Sequence, residues 1–305
     1  MARRLTAGVI GAGVFGGYHA RKYASAPDVR LAGVYDTHPE RAAALGERFG
    51  ARAFASAAEL ADACDVVSIA SPAVAHAAGA LAALRGGSSI YVEKPIATTL
   101  EDADAILGEA ARRRLVVACG FLERAAFSAM GLFDIPERPL RLEAVRQGTP
   151  SPRNLDVSVA IDLMIHDLDL ALALTRAAPL TVEAEGACTA NALFDTLEAE
   201  VNFEDGFVAL LTASRVAIDP RRTMRLVYPS GEIKIDFLNH TFENSTLFAL
   251  DEAYGETPAG RDRLGASIAA FLAAVRGETS APLASGADGA RALDLALAVE
   301  QAVGR

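Results

Sequence analysis

Residues 7–36, AGVIGAGVFGGYHARKYASAPDVRLAGVYD, restrict the fold of this chain more than any other stretch. The apolar segment Leu5–Ile10 runs into Gly11-Ala12-Gly13-Val14-Phe15-Gly16. A helical pattern follows over 15–25, and a second apolar segment, Leu31–Tyr35, ends on Asp36. Gly11 permits a tight turn, and Gly13 lacks a Cβ, so a pyrophosphate can lie against the backbone. Gly16 lets helix and strand pack closely. The N–H groups at the helix start face such phosphates with a favourable dipole. Asp36 lies 23 residues beyond Gly13, near the separation of about 20 at which a carboxylate accepts bonds from ribose hydroxyls. A bare glycine turn is weak evidence, but this one stands between strand and helix and has the acidic strand end. The stretch predicts a dinucleotide site. Asp36 would repel a 2′-phosphate, which favours NAD, while Arg41 a turn later leaves NADP open.

With 305 residues the chain is long enough for two domains. No run of 18 or more apolar residues occurs although 51% of the chain is apolar, so no membrane span is expected. The start, MARRLTAGVIGAG, has too short an apolar stretch for a signal peptide and reads as the first strand. A net charge of −10 without a basic run argues against nucleic acid as a partner. Cys64, Cys119 and Cys188 are far apart and form no Cys-x-x-Cys, so neither a metal site nor a disulfide framework is indicated. A reduced, cytoplasmic setting fits this usage.

The first 120 residues alternate short apolar strands (Leu5–Ile10, Leu31–Tyr35, Arg52–Phe54, Val66–Ala70, Ser89–Val92, Val116–Cys119) with helices near 15–25, 39–49, 57–63, 76–85 and 101–113. That grammar predicts an α/β fold whose N-terminal domain, 1–121, is a Rossmann-type doubly wound parallel sheet. Beyond it the pattern changes. One apolar helix over 160–175 precedes β-type segments at Thr181–Ala190, Leu197–Phe203, Phe207–Arg215, Thr223–Tyr228, Glu232–Phe237 and Thr241–Leu250. Helices near 260–276 and 287–303 close the chain. Residues 122–305 therefore read as an α+β domain with a large, mostly antiparallel, open-faced sheet. The open face predicts a homodimer or homotetramer.

Three further segments place polar residues where chemistry is common. Val66–Ala70 runs into Ser71-Pro72, with His76 beyond, at the carboxyl end of a central strand, where open α/β sheets bind ligands. Ile90-Tyr91-Val92 ends in Glu93-Lys94-Pro95; a lysine there can bond a substrate hydroxyl and stabilise an alkoxide. In the apolar helix over 160–175, Asp162 and His166 stand at i and i+4 and share a face, a carboxylate–imidazole pair suited to proton transfer. Each has a plain structural alternative: a strand-to-helix turn, a solvated lysine, a satisfied core histidine. For His76 the two readings stand level; position tips Lys94, and the nucleotide fold tips the Asp162–His166 pair, towards function.

GAGVFGGYH, SPAVAH, VEKP and DLMIHD together resemble the Gfo/Idh/MocA family, glucose–fructose oxidoreductase and inositol dehydrogenase among its members, over essentially the whole chain. The resemblance implies a catalytic group of Lys94, Asp162 and His166. It implies cofactor contacts from Gly11, Gly13, Val14, Phe15, Gly16, Asp36, Ser71, Pro72, His76, Glu93 and Lys94. DVSVAIDLMIHDLDL, LTASRVA and GFLERAAF look like the branch that oxidises UDP-N-acetylglucosamine at C3. The branch pattern GHxERFNP is kept here only as Glu123 and Arg124, without its Phe-Asn-Pro element.

The expected reaction is hydride transfer between a sugar carbinol carbon and NAD. Lys94 from the first half and the Asp162–His166 pair from the second meet around one alcohol oxygen. Beside those three, Glu123, Arg124 and Arg153 are candidates to bind the substrate, a sugar or nucleotide sugar. Three alternatives stand: a dehydrogenase or reductase of a free sugar, inositol or keto sugar; a non-catalytic NAD-binding sensor or scaffold; and a biliverdin-type reductase.

Overall fold

The computed structural model describes residues 4–151, 156–189 and 192–304. They divide into two compact units, one within Met1–Phe121 and Leu264–Ala290, the other within Leu122–Arg263 and Arg291–Arg305.

In the first unit, β1 (Leu5–Ile10), α1 (Val14–Ser25), β2 (Val29–Tyr35), α2 (Pro39–Phe49), β3 (Arg52–Ala53), α3 (Ala57–Asp62) and β4 (Val66–Ile69) follow one another. The rest of the sheet comes with α4 (His76–Arg85), β5 (Ser89–Val92), α5 (Leu100–Arg113) and β6 (Val117–Cys119). All strand pairs are parallel, in the order β3-β2-β1-β4-β5-β6. The chain steps outward from β1 in one direction and then from β4 in the other, so the switch point lies between β1 and β4. Strands β4 and β5 are buried on both faces, as their largely apolar character allows. Their polar atoms are satisfied inside: the Tyr23 hydroxyl pairs with Ser68 Oγ at 2.8 Å, and Tyr91 donates to Ser267 Oγ at 2.9 Å. Thr99 caps α5 by accepting from the Asp102 N–H, and Gly50 ends α2 in the left-handed region.

Ser267 belongs to a late helix that the boundary expected after residue 121 assigns to the second domain. Its hydrogen bond to Tyr91, and that of the Cys119 N–H to the Ala284 carbonyl, tie 264–290 to the first sheet. A strand-rich domain need not keep every residue that follows it.

The second unit holds α6 (Glu123–Met130), β7 (Arg141–Gln147), a π-helical turn (Ala160–Met164), α7 (Ile165–Thr175) and β8 (Pro179–Ala187). Strands β9 (Thr196–Phe203), β10 (Val208–Ser214), β11 (Arg221–Tyr228), β12 (Gly231–Asp236) and β13 (Thr241–Asn244) follow. Their order is β13-β12-β11-β7-β10-β9-β8, antiparallel except where β10 meets β7. One face is a core of Leu142, Ala144, Ala199, Val201, Ala209, Leu211, Met224, Leu226, Ile233 and Ile235. The other carries Glu183, Glu185, Glu198, Glu200, Glu143, Arg225 and Lys234, all half-buried or exposed. Alternation along β7, β9, β11 and β12 separates the two faces. Toward the end of the described residues come α8 (Pro258–Arg261), α9 (Arg263–Val275) and α10 (Gly286–Ala302). No described helix is long and apolar enough to cross a membrane.

Candidate active site

The glycine turn has the geometry its sequence demands. Gly11 lies at φ +97°, and a Cβ there would stand 2.6 Å from the Ser71 nitrogen. At Gly16 a Cβ would fall 1.8 Å from the Gly11 carbonyl oxygen, so helix and turn touch backbone to backbone. Gly13, the N-cap of α1, meets nothing within 4 Å at its Cβ position and has no side chain with which to cap the helix. The space in front of this helix start is where a pyrophosphate would lie. Val14 and Phe15, 63% and 37% exposed, flank it.

Asp36 stands at the end of β2. Its Oδ2 accepts from the Ala12 N–H at 2.7 Å and its Oδ1 from the His38 N–H at 2.8 Å. Partial burial works against its charge, but the bonds from His38 and Ala12 outweigh it and hold the carboxyl below its ordinary value. It is an anion at neutral pH. Beside it a cavity of about 490 Å³ is lined by Ala12, Gly13, Tyr18, Arg21, Arg41 and Arg48, among others. Arg41 thus borders the nucleotide turn.

At the carboxyl end of β4 the Ser71 hydroxyl is buried without a hydrogen-bond partner. A buried, unsatisfied donor beside the glycine turn fits a bound dinucleotide. His76 begins α4 and is almost fully buried. Its Nδ1 lies 2.6 Å from the Pro95 carbonyl and its Nε2 2.9 Å from that of Ser71, so the ring joins the two turns that follow β4 and β5. Burial lowers its pKa, against the pull of both carbonyls and of Glu93. The ring is therefore a brace beneath the ligand turns. Glu93 is a brace as well: its Oε1 lies 2.8 Å from Nε2 of the fully buried His19. Lys94, next in the chain, precedes Pro95 through a cis peptide.

In the second unit, two carboxylates, a guanidinium and an imidazole form one buried cluster. Arg146 on β7 donates to both oxygens of Asp167 (2.9 and 2.8 Å) and to Oε1 of Glu123 (2.9 Å). The other oxygen of Glu123 lies 3.0 Å from Nδ1 of His166, at ion-pair distance but without hydrogen-bond geometry. Burial opposes the charge of Glu123, but His166 and Arg146 hold its carboxyl well below the usual range. Burial likewise opposes the charge of Arg146, and Asp167 and Glu123 more than offset it. Arg124 donates twice to Asp169, at 2.8 and 2.6 Å.

The resemblance makes Glu123 and Arg124 candidates to bind the substrate. In the structure Oε1 of Glu123 accepts from Arg146 and the fork of Arg124 is held by Asp169, because α6 is a buried helix. Arg153 lies outside the described residues. Asp162 is buried in the π-helical turn, whose wider winding changes the phase from which the i, i+4 pairing with His166 was argued. Two members of the cluster, Arg146 and Asp167, were missed altogether. Asp167 adjoins His166 in the DLMIHDLD run and was the available signal.

A parallel sheet with this strand order, a glycine turn leading from its first strand and an acid closing its second define a dinucleotide-dependent oxidoreductase. Residues 5–121 match the oxidoreductase family with an NAD-binding Rossmann fold, and residues 145–234 match the GFO/IDH/MocA C-terminal domain. The chain belongs to the Gfo/Idh/MocA family of NAD-binding oxidoreductases. It is 38% identical to a UDP-N-acetylglucosamine 3-dehydrogenase of Acidithiobacillus ferrooxidans, over 97% of this chain and 96% of that one. A solved structure of that enzyme superposes with a TM-score of 0.90, covering 98% of this chain and 97% of the other. An inositol 2-dehydrogenase of Rubrobacter xylanophilus is 31% identical over 56% of this chain and 52% of its own.

Proposed function

We propose that this chain oxidises a nucleotide sugar, UDP-N-acetylglucosamine, at its C3 hydroxyl. The observation that carries the reading is the 38% identity to the Acidithiobacillus ferrooxidans enzyme, which extends through both units. NAD, when bound, accepts the hydride from the carbinol carbon. Gly11, Gly13, Val14, Phe15 and Gly16 hold the pyrophosphate, Asp36 the ribose, and Ser71 and Pro72 border the reactive end. The glutamate and histidine expected there act from behind: His76 and Glu93 brace the turn that presents Lys94.

Lys94, Asp162 and His166 serve one proton transfer. His166 takes the hydroxyl proton, Lys94 donates a hydrogen bond to the same oxygen and stabilises its negative charge, and Asp162 adds a carboxylate to the helix that carries the imidazole. The charged outer face of the second sheet is the subunit interface of a homodimer or homotetramer. The three cysteines form no disulfide, which suits the cytoplasm.

A panel of UDP-sugars, free sugars and inositols, read by NADH absorbance, tests the substrate. UDP-N-acetylglucosamine is expected to give the highest kcat/KM. A larger value for an inositol or a free sugar would move the enzyme to a sibling activity, and bound NAD that none of them reduces would leave a sensor.

A further inference from the structure

The geometry around Glu123 gives the residue a task beside the imidazole. It opens α6, where the helix dipole favours an anion. Its side chain is 8% exposed, with Oε1 accepting from Arg146 and Oε2 3.0 Å from Nδ1 of His166. Arg146 also grips Asp167, the residue after His166. One guanidinium thus fixes both the carboxylate in front of the imidazole and the backbone beside it.

We propose that Glu123 is the positioning residue of His166: it holds the hydrogen on Nδ1 and leaves Nε2 as the atom that accepts the alcohol proton. This inference rests on the proton-transfer role given to His166 above. As the carbinol C–H electron pair leaves as hydride to NAD, the O–H proton passes to Nε2 and the carbonyl forms. The imidazole then carries a positive charge that Glu123 faces directly. Two carboxylates against one guanidinium leave the cluster with an excess negative charge that an imidazolium offsets. Arg222 is a further charged group within reach of Glu123, Asp167 and Arg146, and Asp162 lies one turn earlier on the same helical run. In sites without substrate such contacts are often bent and straighten on binding.

Glu123→Gln tests the idea, because the amide keeps the shape and loses the charge. The variant is expected to lower kcat roughly tenfold or more, with KM little changed. The imidazolium loses its partner, so the acid limb of the pH–rate profile moves to lower pH. Glu123→Asp is expected to recover part of the rate. An unmoved acid limb with near-normal kcat would overturn the proposal. Nitrogen NMR of the wild-type chain, with His166 assigned by comparison with His166→Asn, needs neither turnover nor a folded Glu123 variant. Hydrogen on Nδ1 above the imidazole pKa supports the inference, and hydrogen on Nε2 overturns it. If no sugar is turned over, the enzymatic reading fails while the ring tautomer still decides this one.

Discussion

The glycine turn after β1 and the carboxylate–imidazole cluster around α6 are both polar sites set against apolar packing, but they are held in different ways. The turn is made of backbone: Gly11, Gly13 and Gly16 contribute the absence of side chains, and Asp36 is fixed by two backbone N–H groups. The cluster is made of side chains from three elements, with Glu123, Arg146, Asp167 and His166 each incomplete without the others. Sites of the first kind fail when an atom is added. Sites of the second kind fail when a charge is removed.

Adding one atom is the harshest test of this contrast. Gly16→Ala drives a methyl group to within 1.8 Å of a carbonyl oxygen, and denaturant unfolding is expected to show a loss upward of about 4 kcal/mol. A loss below about 1 kcal/mol would mean that the turn is slack. Removing one charge comes next. Arg146→Met leaves Glu123 and Asp167 buried without their guanidinium and is expected to destabilise the second unit by about 3–5 kcal/mol. NAD titration of that variant, kept below its melting point, should give an unchanged Kd; a weakened Kd would merge the two sites.

Smaller effects sharpen the same comparison. Asp36→Ala is expected to weaken NAD roughly tenfold, since a hydrogen bond to a charged group is worth about 1.5–3 kcal/mol, and to narrow the gap to NADP. An unchanged NAD-to-NADP ratio, read by fluorescence titration, would remove Asp36 from the ribose. The pH dependence is subtler. Asp36 and Glu123 both have folded-state pKa values below their ordinary 3.8 and 4.5. A depressed carboxyl stabilises the fold fully above its ordinary value, and that contribution is lost as pH falls through the folded one. Circular dichroism should therefore show stability falling below about pH 4.5, and less steeply in Glu123→Gln.

The same contrast explains what could be read in the sequence. The β1–α1–β2 unit with Asp36 was legible nearly to the residue, because turn chemistry, apolar run and acid are adjacent along the chain. Strand β7, which lies in the middle of the second sheet, was not foreseen. Its sequence RLEAVRQ places Arg146 on the buried face, where only partners 21 and 23 residues away make a charge acceptable. Helix α6 was hidden likewise, with Glu123 and Arg124 buried through long-range pairs. The strand expected over Thr241–Leu250 ends at Asn244, whose Oδ1 accepts from the N–H and hydroxyl of Thr246 and turns the chain. One helix over 160–175 became a π-helical turn followed by α7, a change of winding that apolar spacing does not reveal.

The account depends on Lys94 and His166 serving one proton transfer, and a double-mutant cycle on kcat measures that coupling. Lys94→Ala and His166→Ala are each expected to lower kcat by roughly a hundredfold or more, with NAD affinity unchanged, and the double variant to be little slower than the worse single one. Losses that multiply in full, or near-normal turnover in either single variant, would contradict it.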